Sequence, residues 1–118
     1  MAEISFSTLL LVAQVMSGEA GVLDSDAALL DVGAAIANRV EDPRWPDTAE
    51  AVVAQGFYGR GPVSFRHLKL ARAALSGGHV HDYYYCYSEQ DRRAQGWAYG
   101  DKTYRRDGWT MYLRKDEP

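Results

Sequence analysis

The sequence predicts an α+β fold, helix-rich over its first two thirds and strand-like or irregular afterwards. Three observations predict it. Up to about Leu75, apolar residues recur at helical spacing in segments opened by Ser, Thr or Asp caps. From Tyr83 to Tyr87 the composition becomes aromatic and suits a strand. Asp107-Gly108 then sits between two runs rich in Thr, Tyr, Arg and Trp, the pattern of a tight hairpin. At 118 residues, 47% hydrophobic and 25% charged, the composition predicts one globular domain over 1–118. A chain of this size buries enough surface to fold without disulfides or a structural metal.

The first helix follows from Ser5-Phe6-Ser7-Thr8, which offers several hydroxyl caps, and from Leu9 to Met16, which is apolar on nearly every side. Such a helix belongs at the centre of the domain. Its pattern breaks at Ser17-Gly18-Glu19-Ala20-Gly21, so Glu19 falls at or just past the end of a buried helix, at the rim of the core.

A second helix spans about 25–41. Asp24-Ser25-Asp26 supply caps and negative charge for its N-terminus, and Leu29, Val32, Gly33, Ile36, Ala37 and Val40 recur at helical spacing. Asp24, Asp26 and Asp31 read as caps or solvent-facing residues. Asp42-Pro43-Arg44-Trp45-Pro46 ends the helix. Asp47, with Glu50 three residues later, resembles a capping box that opens a third helix to about Gln55. A loop with Gly56, Gly59, Gly61 and Pro62 carries Phe57 and Tyr58. Ser64 caps a fourth helix, Phe65 to Leu75, with Leu68, Ala71, Arg72 and Leu75 on one side and Gly77-Gly78 closing it.

The net charge of −3 argues against nucleic acid as a partner, since phosphate binding is driven by Lys and Arg. Arg92-Arg93 and Lys102 to Arg106 read as a solvated basic face. One cysteine, Cys86, allows no internal disulfide. Leu9 to Met16 is too short to span a bilayer, and no Lys or Arg precedes it as in a signal peptide. The expectation is therefore no membrane span and a cytoplasmic location as synthesised. His67, His79, His81 and Cys86 are zinc-ligand types, but they lack a second matched pair or a helical His-Glu-x-x-His; no metal and no cofactor are expected. Neither a Gly-x-Ser-x-Gly nucleophile motif nor a phosphate-cradling Gly loop is present.

A carboxyl at the end of an apolar helix suits proton donation, because burial disfavours its charged form. Glycoside cleavage needs such a donor beside the glycosidic oxygen. Glu19 fits that role, although an ordinary helix-end residue fits the same pattern.

The order Ala13-Gln14-Val15-Met16-Ser17-Gly18-Glu19-Ala20, then Val32-Gly33-Ala34-Ala35-Ile36-Ala37-Asn38-Arg39-Val40, then Pro43 to Thr48, Val52 to Gln55 and Leu70 to Leu75 resembles the cell-wall hydrolase family of the spore-cortex-lytic type. The resemblance covers about residues 9–88. It implies a lysozyme-like fold around a single catalytic glutamate, which Glu19 matches. It further implies a peptidoglycan partner, cut between N-acetylmuramic acid and N-acetylglucosamine. Lysozyme-like relatives that act by lytic transglycosylation use one acid/base and let the substrate's own muramyl hydroxyl attack, which suits a lone Glu19 better than hydrolysis does.

Gln55 is a candidate for hydrogen bonding to sugar or acetamido groups, and Tyr58, Tyr85 and Tyr87 for lining the groove. Asn38 and Arg39 are expected to support the helix rather than do chemistry. Without a leader, such an enzyme would reach the wall by lysis of the host cell or within a phage-like particle. Gly21-Val22-Leu23-Asp24 and Gln55-Gly56-Phe57-Tyr58 depart from the family pattern. They motivate an alternative, a non-catalytic glycan-binding or structural module of a phage-like particle. A zinc amidase is a further rival.

Overall fold

The computed structural model describes residues 3–77, 81–88 and 100–116. Helix α1, Phe6–Ala20, starts where the Ser5 side chain accepts the Thr8 N–H. It runs through Ser17-Gly18 instead of stopping there and passes into a 3₁₀ helix, Gly21–Leu23, closed by Asp24 at φ +48°. Helix α2, Asp26–Glu41, is capped by Ser25. Helix α3 covers Ala49–Gly56, and its cap is Thr48, which accepts the Ala51 N–H at 3.2 Å. Asp47 is therefore not the cap. The expected partner, Glu50, turns instead to α1 and accepts the Thr8 hydroxyl at 2.9 Å. Helix α4 is Phe65–Leu75, and the ring of His67 reaches back to accept the Ser64 N–H at 3.0 Å. Ala71 and Ala74 are its buried residues, while Arg72 faces outward.

Strands β1 (Tyr85–Ser88), β2 (Lys102–Arg106) and β3 (Trp109–Arg114) form an antiparallel sheet in the order β1-β3-β2. Asp107 (φ +48°) and Gly108 (φ +82°) make the β2–β3 turn, a conformation open to Asp-Gly and matched to strand twist. The fold is α+β, as the sequence predicts.

Helix α1 lies centrally, packed by α2, α3 and α4. Val12, Ala13, Val15 and Met16 on α1, Leu29 and Ile36 on α2, and Phe57 form the core, and the sheet adds Cys86, Met111 and Leu113 to it. Gly33 makes the α2 approach to α1 and α4 close, since a Cβ there would lie 2.8 Å from that of Ala74 and 3.0 Å from the sulfur of Met16. By length and composition, Phe6–Leu23 is apolar enough to cross a membrane, a longer stretch than Leu9 to Met16. Its core-facing side chains here pack within the helical layer.

One expectation for α2 is overturned. Asp31 is fully buried instead of solvent-facing. β2 brings it two donors: the Tyr104 hydroxyl at 2.5 Å and the Lys102 ammonium at 3.0 Å. A buried carboxylate is tolerated when paired and hydrogen-bonded in this way. Asp24 and Asp26 do stay at the surface.

Candidate functional site

Glu19 is the penultimate residue of α1, half-buried between buried Met16 and Ala20. The loop after α3 lies directly on this helix end. Gly61 donates its N–H to the Gln14 carbonyl at 2.9 Å, and Phe57 anchors the loop in the core. The Arg60 guanidinium holds the loop's shape by donating to the carbonyls of Phe57 and Gly59, both at 2.7 Å. The approach has no room for side chains: a Cβ at Gly18 would lie 2.3 Å from the Arg60 nitrogen, and one at Gly59 would lie 2.9 Å from Glu19 Oε1. That closeness lets the Gly59 N–H donate to Glu19 Oε1 at 3.2 Å.

On its other side, Glu19 borders a small crevice of about 10 Å³, room for a single water, lined by Val22, Leu23, Ser88, Trp109, Thr110 and Met111. Val22 comes from the 3₁₀ helix and Trp109 from the start of β3; both are exposed, Trp109 to 38%. Ion pairs tie these pieces together. Asp24 receives Arg106 at 3.2 Å and Arg66 at 3.0 Å, and Arg66 also binds Asp26 at 2.5 Å. The hydrogen bonds from Arg66 and then Arg106 hold the Asp24 carboxyl below the usual carboxylate range. The hairpin, the 3₁₀ helix and α4 are thereby clamped around the end of α1.

The residues singled out in the sequence are divided by the structure. Gln55 and Tyr58 are exposed beside the Gly59 loop, with the Tyr58 hydroxyl 3.5 Å from the Gln55 carbonyl. Tyr85 is half-buried and packs edge-on against Trp45 at 6.0 Å. Tyr87 is only 8% exposed and pairs across the sheet with Tyr112, so little of its ring is open to a ligand. Arg39 explains the placement of the Tyr84-Tyr85 segment. It donates to the Tyr84 carbonyl at 2.7 Å, and its buried guanidinium lies about 5 Å from the rings of Trp45, Phe57 and Tyr85. Asn38 donates to the carbonyls of His81 and Tyr83 at 2.7 and 3.1 Å. Both residues hold the entry to β1 against α2 through main-chain carbonyls, not through the helix-supporting buried amide or ion pair expected.

Three candidate metal ligands are occupied otherwise. His67 caps α4, and the Cys86 thiol lies 3.4 Å from the Met111 sulfur. The ring of His81 accepts the Tyr83 N–H at 3.0 Å through Nδ1 and faces the Asp31 carbonyl at 3.2 Å through Nε2. Among the described residues, no three His, Cys, Asp or Glu are grouped to hold a metal ion. His79 and the Arg92-Arg93 pair lie outside the described residues.

No family model, curated protein or solved structure matches this chain. The site therefore rests on its own geometry: a half-buried carboxyl oriented by a main-chain donor, in a crevice shared with a partly exposed indole. Asp24, Asp26 and Asp31, the nearest carboxylates in sequence, are all engaged in ion pairs with Arg66, Arg106 or Lys102. Glu19 is the carboxylate among the described residues that line the crevice.

Sequence reasoning missed Trp109, Val22 and the role of Gly59. The Asp107-Gly108 signal located the hairpin but not what its first residue would face. The glycines of the loop were legible as a turn, while their close approach to α1 depended on packing.

Proposed function

We propose that the chain cleaves peptidoglycan glycan strands between N-acetylmuramic acid and N-acetylglucosamine, as a lytic transglycosylase with Glu19 as acid and base. The observation that carries this reading is the seating of Glu19: a carboxyl at the end of the central helix, with Oε1 fixed by the Gly59 N–H, at the mouth of a crevice walled by Val22 and Trp109. A group held this way is pre-oriented toward a glycosidic oxygen, which counts for more than a mobile surface acid would.

In the first step the Glu19 carboxylic acid gives its proton to the glycosidic oxygen. The bond to the anomeric carbon breaks, and the N-acetylglucosamine unit leaves as an alcohol. The muramyl hydroxyl of the same sugar then attacks the anomeric carbon and returns its proton to the Glu19 carboxylate. This closes an anhydro ring without a second protein carboxylate, in keeping with the ion-paired state of Asp24, Asp26 and Asp31. Trp109, which lines the crevice with Glu19, offers a ring for the apolar face of a sugar, and the exposed Tyr58 and Gln55, next to the Gly59 loop in sequence, offer a second ring and an amide for polar substituents.

Mass spectrometry of the fragments released from purified peptidoglycan tests the reading. The wild-type chain is expected to release anhydromuramyl products and Glu19→Gln none. Reducing muramyl ends would mean hydrolysis instead. Fragments from the Gln variant would overturn the assignment of Glu19. Binding to sacculi with no release by either protein would favour a glycan-binding module.

A further inference from the structure

A groove lines the N-terminal half of α1 and the length of α4; Phe6, at its α1 edge, is roughly 20 Å from Glu19 by helical rise. It has a volume of about 560 Å³ and runs between the N-terminal half of α1 and α4. Leu9 and Leu68 form its floor, and Phe6 and Phe65 stand at its edges 65% and 77% exposed. Each phenylalanine is the first residue of its helix. Two aromatic rings left in water beside a leucine-floored groove are the mark of a surface that buries itself against something else.

The charge around the groove says what. Its lining includes two cations, Lys69 and Arg72, and no carboxylate. The Lys69 ammonium lies 5.9 Å from the centre of the Phe65 ring, so the charge and the aromatic face form one patch. A second copy docked here about a two-fold axis would bring these cations toward their own counterparts, which opposes self-association. A flat lipid surface would reach Phe6 and Phe65 but leave the recessed floor at Leu9 and Leu68 uncovered.

We infer that this groove docks an amphipathic helix of a protein partner, with aliphatic side chains on one stripe and carboxylates flanking it. Leu9 and Leu68 receive the stripe, Phe6 and Phe65 grip its sides, and Lys69 and Arg72 pair with the carboxylates. The helix-in-groove mode reads anchors at helical spacing, and the groove holds one or two of them. The inference is independent of the chemistry proposed at Glu19.

The test uses the full chain and two fluorescent peptides of about 18 residues with the same helical leucine stripe, one flanked by Glu and one by Lys. In anisotropy titrations the Glu-flanked peptide is expected to bind at least about tenfold more tightly. Phe65→Ser, at an exposed position, is expected to weaken it by about tenfold or more. Charge reversal in the double variant K69E/R72E is expected to invert the preference between the peptides. Equal binding of both peptides, no saturable binding of either, or an unchanged affinity in Phe65→Ser would overturn the inference. So would a concentration-dependent dimer abolished by Phe65→Ser, or binding to phosphatidylglycerol vesicles in place of the peptide.

Discussion

The main-chain N–H of Gly59 donates to Oε1 of Glu19 at 3.2 Å, across forty residues of sequence. A carboxyl at a helix end otherwise chooses among several rotamers. The donor fixes one of them, and the glycine lets the main chain come near enough to do so.

Gly59→Ala is expected to separate activity from stability. The added Cβ would lie 2.9 Å from Glu19 Oε1 and 3.1 Å from the main-chain carbonyl carbon of Gly18, so the flexible carboxyl swings away and the main chain gives only slightly. Fragment release should fall about tenfold or more, with the unfolding midpoint lowered by only a few degrees. Gly18→Ala, whose Cβ meets main chain at 2.3 Å, should cost more stability, on the order of 1–3 kcal/mol. Parallel melts and release assays check both; equal melting losses would break the distinction.

Trp109→Ala is expected to weaken glycan binding without unfolding the domain, because the ring is 38% exposed at the rim of the sheet. In the Glu19→Gln background, where turnover is not a complication, the fraction bound to sacculi should correspond to an affinity lowered roughly tenfold. Unchanged binding would remove Trp109 from the site.

Stability should fall on the alkaline side. Tyr104 has its pKa raised by burial and by its bond to Asp31, and Lys102 has its pKa raised by its bonds to Tyr104 and Asp31. Both groups hold their protons more firmly folded than unfolded, so their contribution is complete below their ordinary values of 10.0 and 10.5 and is lost as pH rises beyond them. The urea midpoint should be level to about pH 9.5 and then decline. Tyr104→Phe should be less stable at neutral pH and show a shallower decline; an identical slope would refute the assignment.

A smaller loss is expected in acid. Burial first, and the neighbouring Arg66 charge second, hold His67 below its ordinary value of 6.5. The ring must be neutral at Nδ1 to accept the Ser64 N–H. Stability from this cap is therefore present above pH 6.5 and lost as pH falls through the lowered folded value. His67→Gln keeps an acceptor in the same place and does not titrate. Its stability should not show this decline as pH falls below 6.5, as urea titrations at each pH would record.

Local signals in the sequence settled most of the fold. The second and fourth helices fall within a residue of their caps and stops, because Ser25, Ser64 and the Pro43 region act over one turn of chain. The hairpin sits where Asp107-Gly108 puts it, since few other pairs adopt its left-handed turn. The same reasoning placed Glu19 at the end of the central helix.

What failed was decided at a distance. Asp47 lost the cap to Thr48, and Glu50 was drawn to Thr8, a residue of another helix. Asp31 reads as a surface residue until β2 folds over it with Tyr104 and Lys102. Tyr87, a candidate for the groove, is covered once Tyr112 lies opposite it. The sequence by itself determined which segments are helix, which are strand, and that a carboxyl ends the central helix, because caps, turns and apolar period are properties of neighbours along the chain. Only the tertiary structure decided that Gly59 orients that carboxyl and that Trp109 stands beside it, because both depend on segments forty to ninety residues apart being packed into contact.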